Sequence, residues 1–279
     1  DMLSNLKNIF NLKDKVVIIT GASGLLGQKH AEVIAAYGGN PVLIDLNINL
    51  VNQQAKQLSL KYGVDAIGYS VDITNEEQIQ SNLKLIIKHY KKIDALINNA
   101  ANNPKIEESN EKNFSRLENF RLDDWYKDIN VGLTGAFLCA KYYGTKISEN
   151  PSGGVIINIS SDLGLIAPDQ RLYKTTNLAD DMQPVKPVTY SVVKTGIIGL
   201  TRYLSTYWTD ANVRCNAICP GGVENGQSDN FLKEVSLRIP LNRLATSEEY
   251  QSNLIWMLSD ASSYLNGSIV SVDGGRTVL

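Results

Sequence analysis

The chain has 279 residues, 43% hydrophobic and 20% charged, with 27 Lys and Arg scattered among 29 Asp and Glu for a formal net charge of −2. That balance fits one large soluble domain and, without a basic block, argues against a nucleic-acid partner. No apolar stretch reaches the roughly 18 residues a bilayer span requires, no signal-peptide pattern opens the chain, and three cysteines with two histidines offer neither a disulfide framework nor a zinc site.

In chain order, the apolar run Val16-Val17-Ile18-Ile19 predicts a strand over 16–20, and a helix is predicted over 25–38. Between them lies Thr20-Gly21-Ala22-Ser23-Gly24-Leu25-Leu26-Gly27. A glycine turn between strand and helix lets the backbone approach a pyrophosphate, and the free N–H groups of the helix start bind the anion. The next strand, 41–45, ends in Asp45, placed to accept hydrogen bonds from an adenosine ribose. A carboxylate there repels a 2′-phosphate, and Leu46 and Asn47 follow rather than an arginine, so NAD(H) is the expected cofactor.

Helix 48–62, strand 65–71, helix 75–92 and strand 94–98 continue the alternation. After a loop over 100–120 come helix 122–148, strand 154–160, helix 188–209, strand 213–219, helix 247–259 and strand 267–272. Apolar strands alternating with helices call for a three-layer α/β Rossmann fold, a doubly wound parallel sheet of about seven strands in a single domain. That domain covers 1–279, with an N-terminal extension over 1–11. Ligands bind such sheets beyond the carboxyl ends of the strands, where Gly21, Asp45, Asp72, Asn98, Ser161 and Pro220 all fall.

Tyr190 and Lys194 stand four residues apart in Tyr-Ser-Val-Val-Lys, and Ser161 closes the strand before them. On a helix, positions i and i+4 share a face, so Lys194 is expected to favour the Tyr190 phenolate. A phenol, an ammonium and a hydroxyl together are equipment for moving a proton.

With these motifs in place, the chain from about Leu12 onward resembles the short-chain dehydrogenase/reductase family. The resemblance implies that Gly21, Ser23, Gly24, Leu25 and Leu26 hold the cofactor phosphates, with Asp45 and Leu46 at the ribose and Asp72 and Ile73 flanking adenine. It makes Asn98-Asn99-Ala100-Ala101 the turn after the fourth strand, and Pro220, Gly221 and Val223 part of the turn over the nicotinamide. Asn130, Ser161, Tyr190 and Lys194 match the family's catalytic set, with Tyr190 as general acid and base, Ser161 on the substrate oxygen, Lys194 also on the nicotinamide ribose and Asn130 anchoring a water. It also implies a homodimer or homotetramer built on helices 122–148 and 188–209, with Gly132, Gly135, Gly196 and Gly199 allowing close packing.

Two departures stand out. The Gly-x-x-Gly-x-x-Gly spacing is commoner in the extended branch of sugar-nucleotide epimerases and dehydratases, but only 58 residues follow Gly221, too few for that branch's substrate domain. The gap of 29 positions between Ser161 and Tyr190 exceeds the family pattern, which marks an insertion over 162–188 beside the substrate site. Its polar residues Gln170, Arg171, Tyr173 and Lys174 favour a sugar-like or phosphorylated small molecule. The expected activity is NAD-dependent oxidation of a secondary alcohol or the reverse, in the cytoplasm, without metal, membrane or nucleic acid. A tightly bound-NAD epimerase or dehydratase and a 3-oxoacyl thioester reductase are the alternatives.

Overall fold

Seven apolar runs form strands β1 (Val16–Thr20), β2 (Asn40–Asp45), β3 (Ile67–Ser70), β4 (Ala95–Asn98), β5 (Gly154–Ile159), β6 (Val213–Pro220) and β7 (Ile269–Val272). They pair in one parallel sheet of order β3-β2-β1-β4-β5-β6-β7, the doubly wound arrangement the alternation predicts. The computed structural model describes residues 6, 8–102, 115–175 and 178–279, so parts of the extension 1–11, of the loop 100–120 and of the insertion lie outside the described residues.

Successive strand residues point to opposite faces, so each strand serves two cores. On one face Val17, Ile19, Leu43, Ile97 and Ile157 pack against helices α1 (Leu25–Ala36) and α2 (Ile48–Tyr62). On the other, Val16, Ile18, Val42, Leu96 and Ile156 meet α3 (Glu76–Tyr90) and α4, the long helix over 122–148. Ile18 and Ile19 are fully buried, each worth about 1.5–3 kcal/mol of transfer free energy. Asn47 and Asn75 cap α2 and α3 by accepting first-turn backbone N–H groups, which sets where those helices begin.

Helix α4 departs from regularity at 130–134 and 140–144, where the turns widen to the π form. At the first, Gly135 N–H donates to Asn130 O, five residues back. Helix α5 (Val188–Tyr207) packs along α4, and three of the four glycines expected to allow close packing of a partner subunit meet side chains of this chain. A Cβ on Gly132 would stand 2.4 Å from Val193 Cγ1, one on Gly196 3.0 Å from Leu133 Cδ2, and one on Gly135 2.7 Å from Ile73 Cδ1. Gly199 faces open space.

Among the described residues, the segment 162–188, expected to be an insertion, folds as three short 3-10 turns, at Asp162–Gly164, Gln170–Tyr173 and Asp180–Met182. Leu172 is buried against Val235, Ile239 and Leu244, and Tyr173 meets Phe231. Those partners lie on or just after α6 (Asp229–Ser236), a helix absent from the sequence reading, which Ser228 caps. Helix α7 (Gln251–Leu258) completes the layer over β6 and β7, and the predicted helix 247–259 splits into a 3-10 turn and this element. Among the described residues, no helix is long and apolar enough to cross a membrane.

Candidate active site

The crevice opens at the carboxyl ends of β1 and β4, where the sheet reverses its winding. Gly21 takes φ +62°, and a Cβ there would approach Ala100 Cα to 2.9 Å; one on Gly27 would sit 2.2 Å from Gly21 O. Both positions therefore need glycine. Thr20 Oγ1 accepts from the N–H groups of Asn99 and Ala100 at 3.1 Å, and Asn99 Nδ2 donates to Thr20 O and Gly21 O. Asn99 thus shapes the turn from behind.

Gly24 begins α1 without a side-chain cap, so the exposed Gly24-Leu25 start presents uncapped first-turn N–H groups beside Ser23 and Leu26. An uncapped helix start over a glycine cradle fits the pyrophosphate of a dinucleotide. Asp45 ends β2, its Oδ2 accepting from Ser23 N–H at 3.0 Å and its Oδ1 from Leu46 N–H at 2.8 Å. Leu46 is 70% exposed at the rim. Asp72 is partly exposed and its Oδ1 accepts from the Thr74 backbone and hydroxyl. Ile73, the residue expected beside adenine, is buried with its side chain against Gly135. Ala101 lines a small pocket with Tyr190 and Lys194. Pro220 ends β6, Gly221 N–H donates to Val272 O, and Val223 bridges to Ala245. Cys139, Cys215 and Cys219 are buried free thiols.

Ser161, Tyr190 and Lys194 come together. Lys194 is buried, its Nζ 5.8 Å from the Tyr190 ring centroid and donating to Ile159 O at 3.0 Å. Ser161 Oγ donates to Asp162 Oδ1 at 2.8 Å and lies within hydrogen-bond reach of the Tyr190 hydroxyl. Burial raises the Tyr190 phenol above its ordinary value, and Asp162 pushes the same way against the Ser161 contact. Burial thereby outweighs the lowering expected from Lys194, which is itself brought down to about 8, first by burial and then by repulsion from Lys186.

Asn130 is not brought to this group. It lies on the exposed face of α4, with Oδ1 accepting only a 3.4 Å contact from Thr134 among the described residues. The face meeting α5 is that of Gly132, two residues on and therefore on nearly the opposite side of the helix. Arg171 and Lys174 also point away: their side chains are 77% and 61% exposed, near Asp169 and Asp180. In their place stand three charged residues the sequence reading passed over. Asp162 follows Ser161 and is buried; Arg276 reaches it from the final turn with Nη1 2.9 Å from Oδ2; Lys186 places Nζ 3.9 Å from the Tyr190 ring centroid. Their only signal was position, one residue after the serine, one after the closing glycines and four before the tyrosine.

A family model described as enoyl-(acyl carrier protein) reductase matches residues 21–277. The chain belongs to the short-chain dehydrogenase/reductase family. An NADP-dependent mannitol dehydrogenase of Alternaria alternata is 31% identical, covering 99% of this chain and 97% of that one. A 3-oxoacyl-acyl-carrier-protein reductase of Aquifex aeolicus is 30% identical over 95% of this chain and 98% of its own. A gluconate 5-dehydrogenase from Burkholderia cenocepacia, solved with NADP and tartrate, superposes with a TM-score of 0.84 at 23% identity, covering 98% of both chains, and shares the fold. As a short-chain dehydrogenase/reductase, the chain has a nicotinamide dinucleotide as its cofactor, and the glycine turn and open helix start fit that group.

Proposed function

We propose that this short-chain dehydrogenase/reductase oxidises a secondary alcohol of a polar, polyhydroxylated substrate, or reduces the matching ketone, with NAD(H). The observation that carries the reading is the convergence of Ser161, Tyr190 and Lys194 beside the glycine turn. The bound nicotinamide supplies the hydride acceptor. Ser161 holds the substrate oxygen, and Tyr190 takes the hydroxyl proton as hydride departs, a step worth about 10²–10⁴ in rate. Lys194, anchored on Ile159 O, stabilises the resulting phenolate.

Substrate polarity follows from the groups around the tyrosine. An acyl chain would have to lie against Asp162, Lys186 and Arg276, and desolvating charges without new partners is costly. A polyol offers hydroxyls to each of them, in keeping with the mannitol dehydrogenase likeness. Asp45 at the end of β2, with no arginine after it, supports NAD over NADP. The test is absorbance of reduced cofactor when purified protein meets NAD or NADP with polyols, sugars, acyl thioesters and steroids. Turnover of polyols supports the reading. Turnover of acyl thioesters alone overturns the substrate class, and sugar conversion without net reduced cofactor would mark an epimerase.

A further inference from the structure

Ser161 brings one hydroxyl proton and two lone pairs to the reacting centre, and Asp162 decides where the proton points. An ionised carboxylate only accepts, so in the 2.8 Å contact between Ser161 Oγ and Asp162 Oδ1 the serine is the donor. Leu163 N–H is shared between the same two oxygens, 2.8 Å from Asp162 Oδ1 and 3.1 Å from Ser161 Oγ, and so holds the pair together at the start of a 3-10 turn. What Ser161 then offers toward Tyr190 is a lone pair. A lone pair accepts from a neutral phenol and gives nothing to a phenolate.

Asp162 is itself held from the far end of the chain. Arg276 Nη1 lies 2.9 Å from Oδ2, so one carboxylate oxygen serves the serine and the other the guanidinium. Ser161 and Asp162 are buried and the Arg276 side chain is 10% exposed, which leaves little water to compete for these contacts. Other groups face Tyr190 among the described residues. Lys186 and Lys194 stand 3.9 and 5.8 Å from its ring centroid and favour the phenolate by their charge, Tyr173 interacts with it from the turn at Gln170–Tyr173, and Asp128 on α4 shares a small pocket with it. Asp162 differs from all of these because it acts through the serine hydroxyl as well as by charge.

Resting on the role of Tyr190 proposed above, we infer that Asp162 is a positioning residue: by taking the Ser161 proton it keeps Tyr190 in the protonated form that donates to a ketone oxygen, and Arg276 fixes the carboxylate that does so. Burial raises the Tyr190 phenol, and the Asp162 charge adds to that rise. In ketone reduction the phenol is ready: its O–H bond breaks and the proton passes to the substrate oxygen as hydride from the reduced cofactor reaches the carbonyl carbon. In alcohol oxidation the phenolate has to form first, so rising pH should favour that direction.

The test follows the ionisation of Tyr190 by carbon NMR in protein labelled at the tyrosine Cζ, the signal being identified by its loss in Tyr190→Phe. The wild type should keep Tyr190 as a phenol to at least about pH 9. Removing the ion pair together, in Asp162→Asn with Arg276→Met, strands no charge and should lower the midpoint by at least about half a pH unit. Asp162→Asn alone should lower it at least as far, Arg276→Lys should keep the wild-type value, and Asp180→Asn, at a fully exposed carboxylate, should leave it in place. A midpoint unmoved in the double variant overturns the inference, since any shift in Asp162→Asn would then come from the unpaired Arg276. Should neither Asp162 variant fold, the wild type decides: phenolate below about pH 9 overturns the inference, and a phenol up to that point upholds it. Where the enzyme oxidises sorbitol or mannitol, the rising limb of kcat/KM against pH should move down with the NMR midpoint in the double variant, whereas damaged packing lowers the rate and leaves the limb where it was. Absence of turnover with any polyol overturns the proposed activity, while the NMR midpoint still judges Asp162.

Discussion

Arg276 Nη1 closes a buried ion pair with Asp162 Oδ2 at 2.9 Å, and the other oxygen of that carboxylate accepts the Ser161 hydroxyl. The last turn of the described chain is thereby tied to the group formed by Ser161, Tyr190 and Lys194. Removing one member strands a charge in the interior, so Arg276→Met should cost about 3–5 kcal/mol in chemical denaturation. The double variant Arg276→Met with Asp162→Asn should recover most of it. Equal losses in the single and double variants would show that the pair does not hold the segment.

Tyr190→Phe keeps the ring under Lys186 and removes only the hydroxyl. Turnover should fall at least about a hundredfold, the usual size of an acid–base contribution, while melting temperature and cofactor binding stay near wild type. A variant that remains active would place the proton donor elsewhere.

The cofactor preference should be read by titrating NADH and NADPH. NADH is expected to bind more tightly, and Asp45→Ala should narrow the difference by removing the acid that repels a 2′-phosphate. Because Asp45 also accepts Ser23 N–H, the variant should weaken NADH binding as well. Equal affinities in the wild type would reject the preference.

His30 supplies a pH prediction. It lies fully buried in α1, and burial lowers it to about 4 from the ordinary 6.5 against a smaller raising contact from Asn99. The folded state binds this proton less readily than the unfolded chain, so the contribution is complete above pH 6.5 and is lost as the pH falls toward 4. The loss amounts to about 3 kcal/mol over that window. His30→Leu should flatten the stability curve there by a comparable amount in denaturation between pH 7 and pH 4. Parallel curves for the two proteins would assign the acid sensitivity to other groups.

The sheet, and the approach of Ser161, Tyr190 and Lys194 to one another, were legible in the amino-acid order. Continuous apolar runs such as Val16–Ile19 and the i, i+4 spacing of Tyr190 and Lys194 are local signals, and local geometry turns them into strands and a shared helix face. The glycine turn was legible for the same reason, since Gly21 and Gly27 answer to contacts within a few residues or with the adjoining strand end. What the tertiary structure decided depends on distance in sequence. Asn130 falls on the exposed side of α4, and Gly132, Gly135 and Gly196, expected at a subunit interface, meet Val193, Ile73 and Leu133 of this chain, while Gly199 stays open. Arg276 meets Asp162 across 114 residues, and Leu172 finds a core on α6 that no periodicity announces. Charged and small residues carry little local pattern, so only the packed chain shows which of them gather around Tyr190.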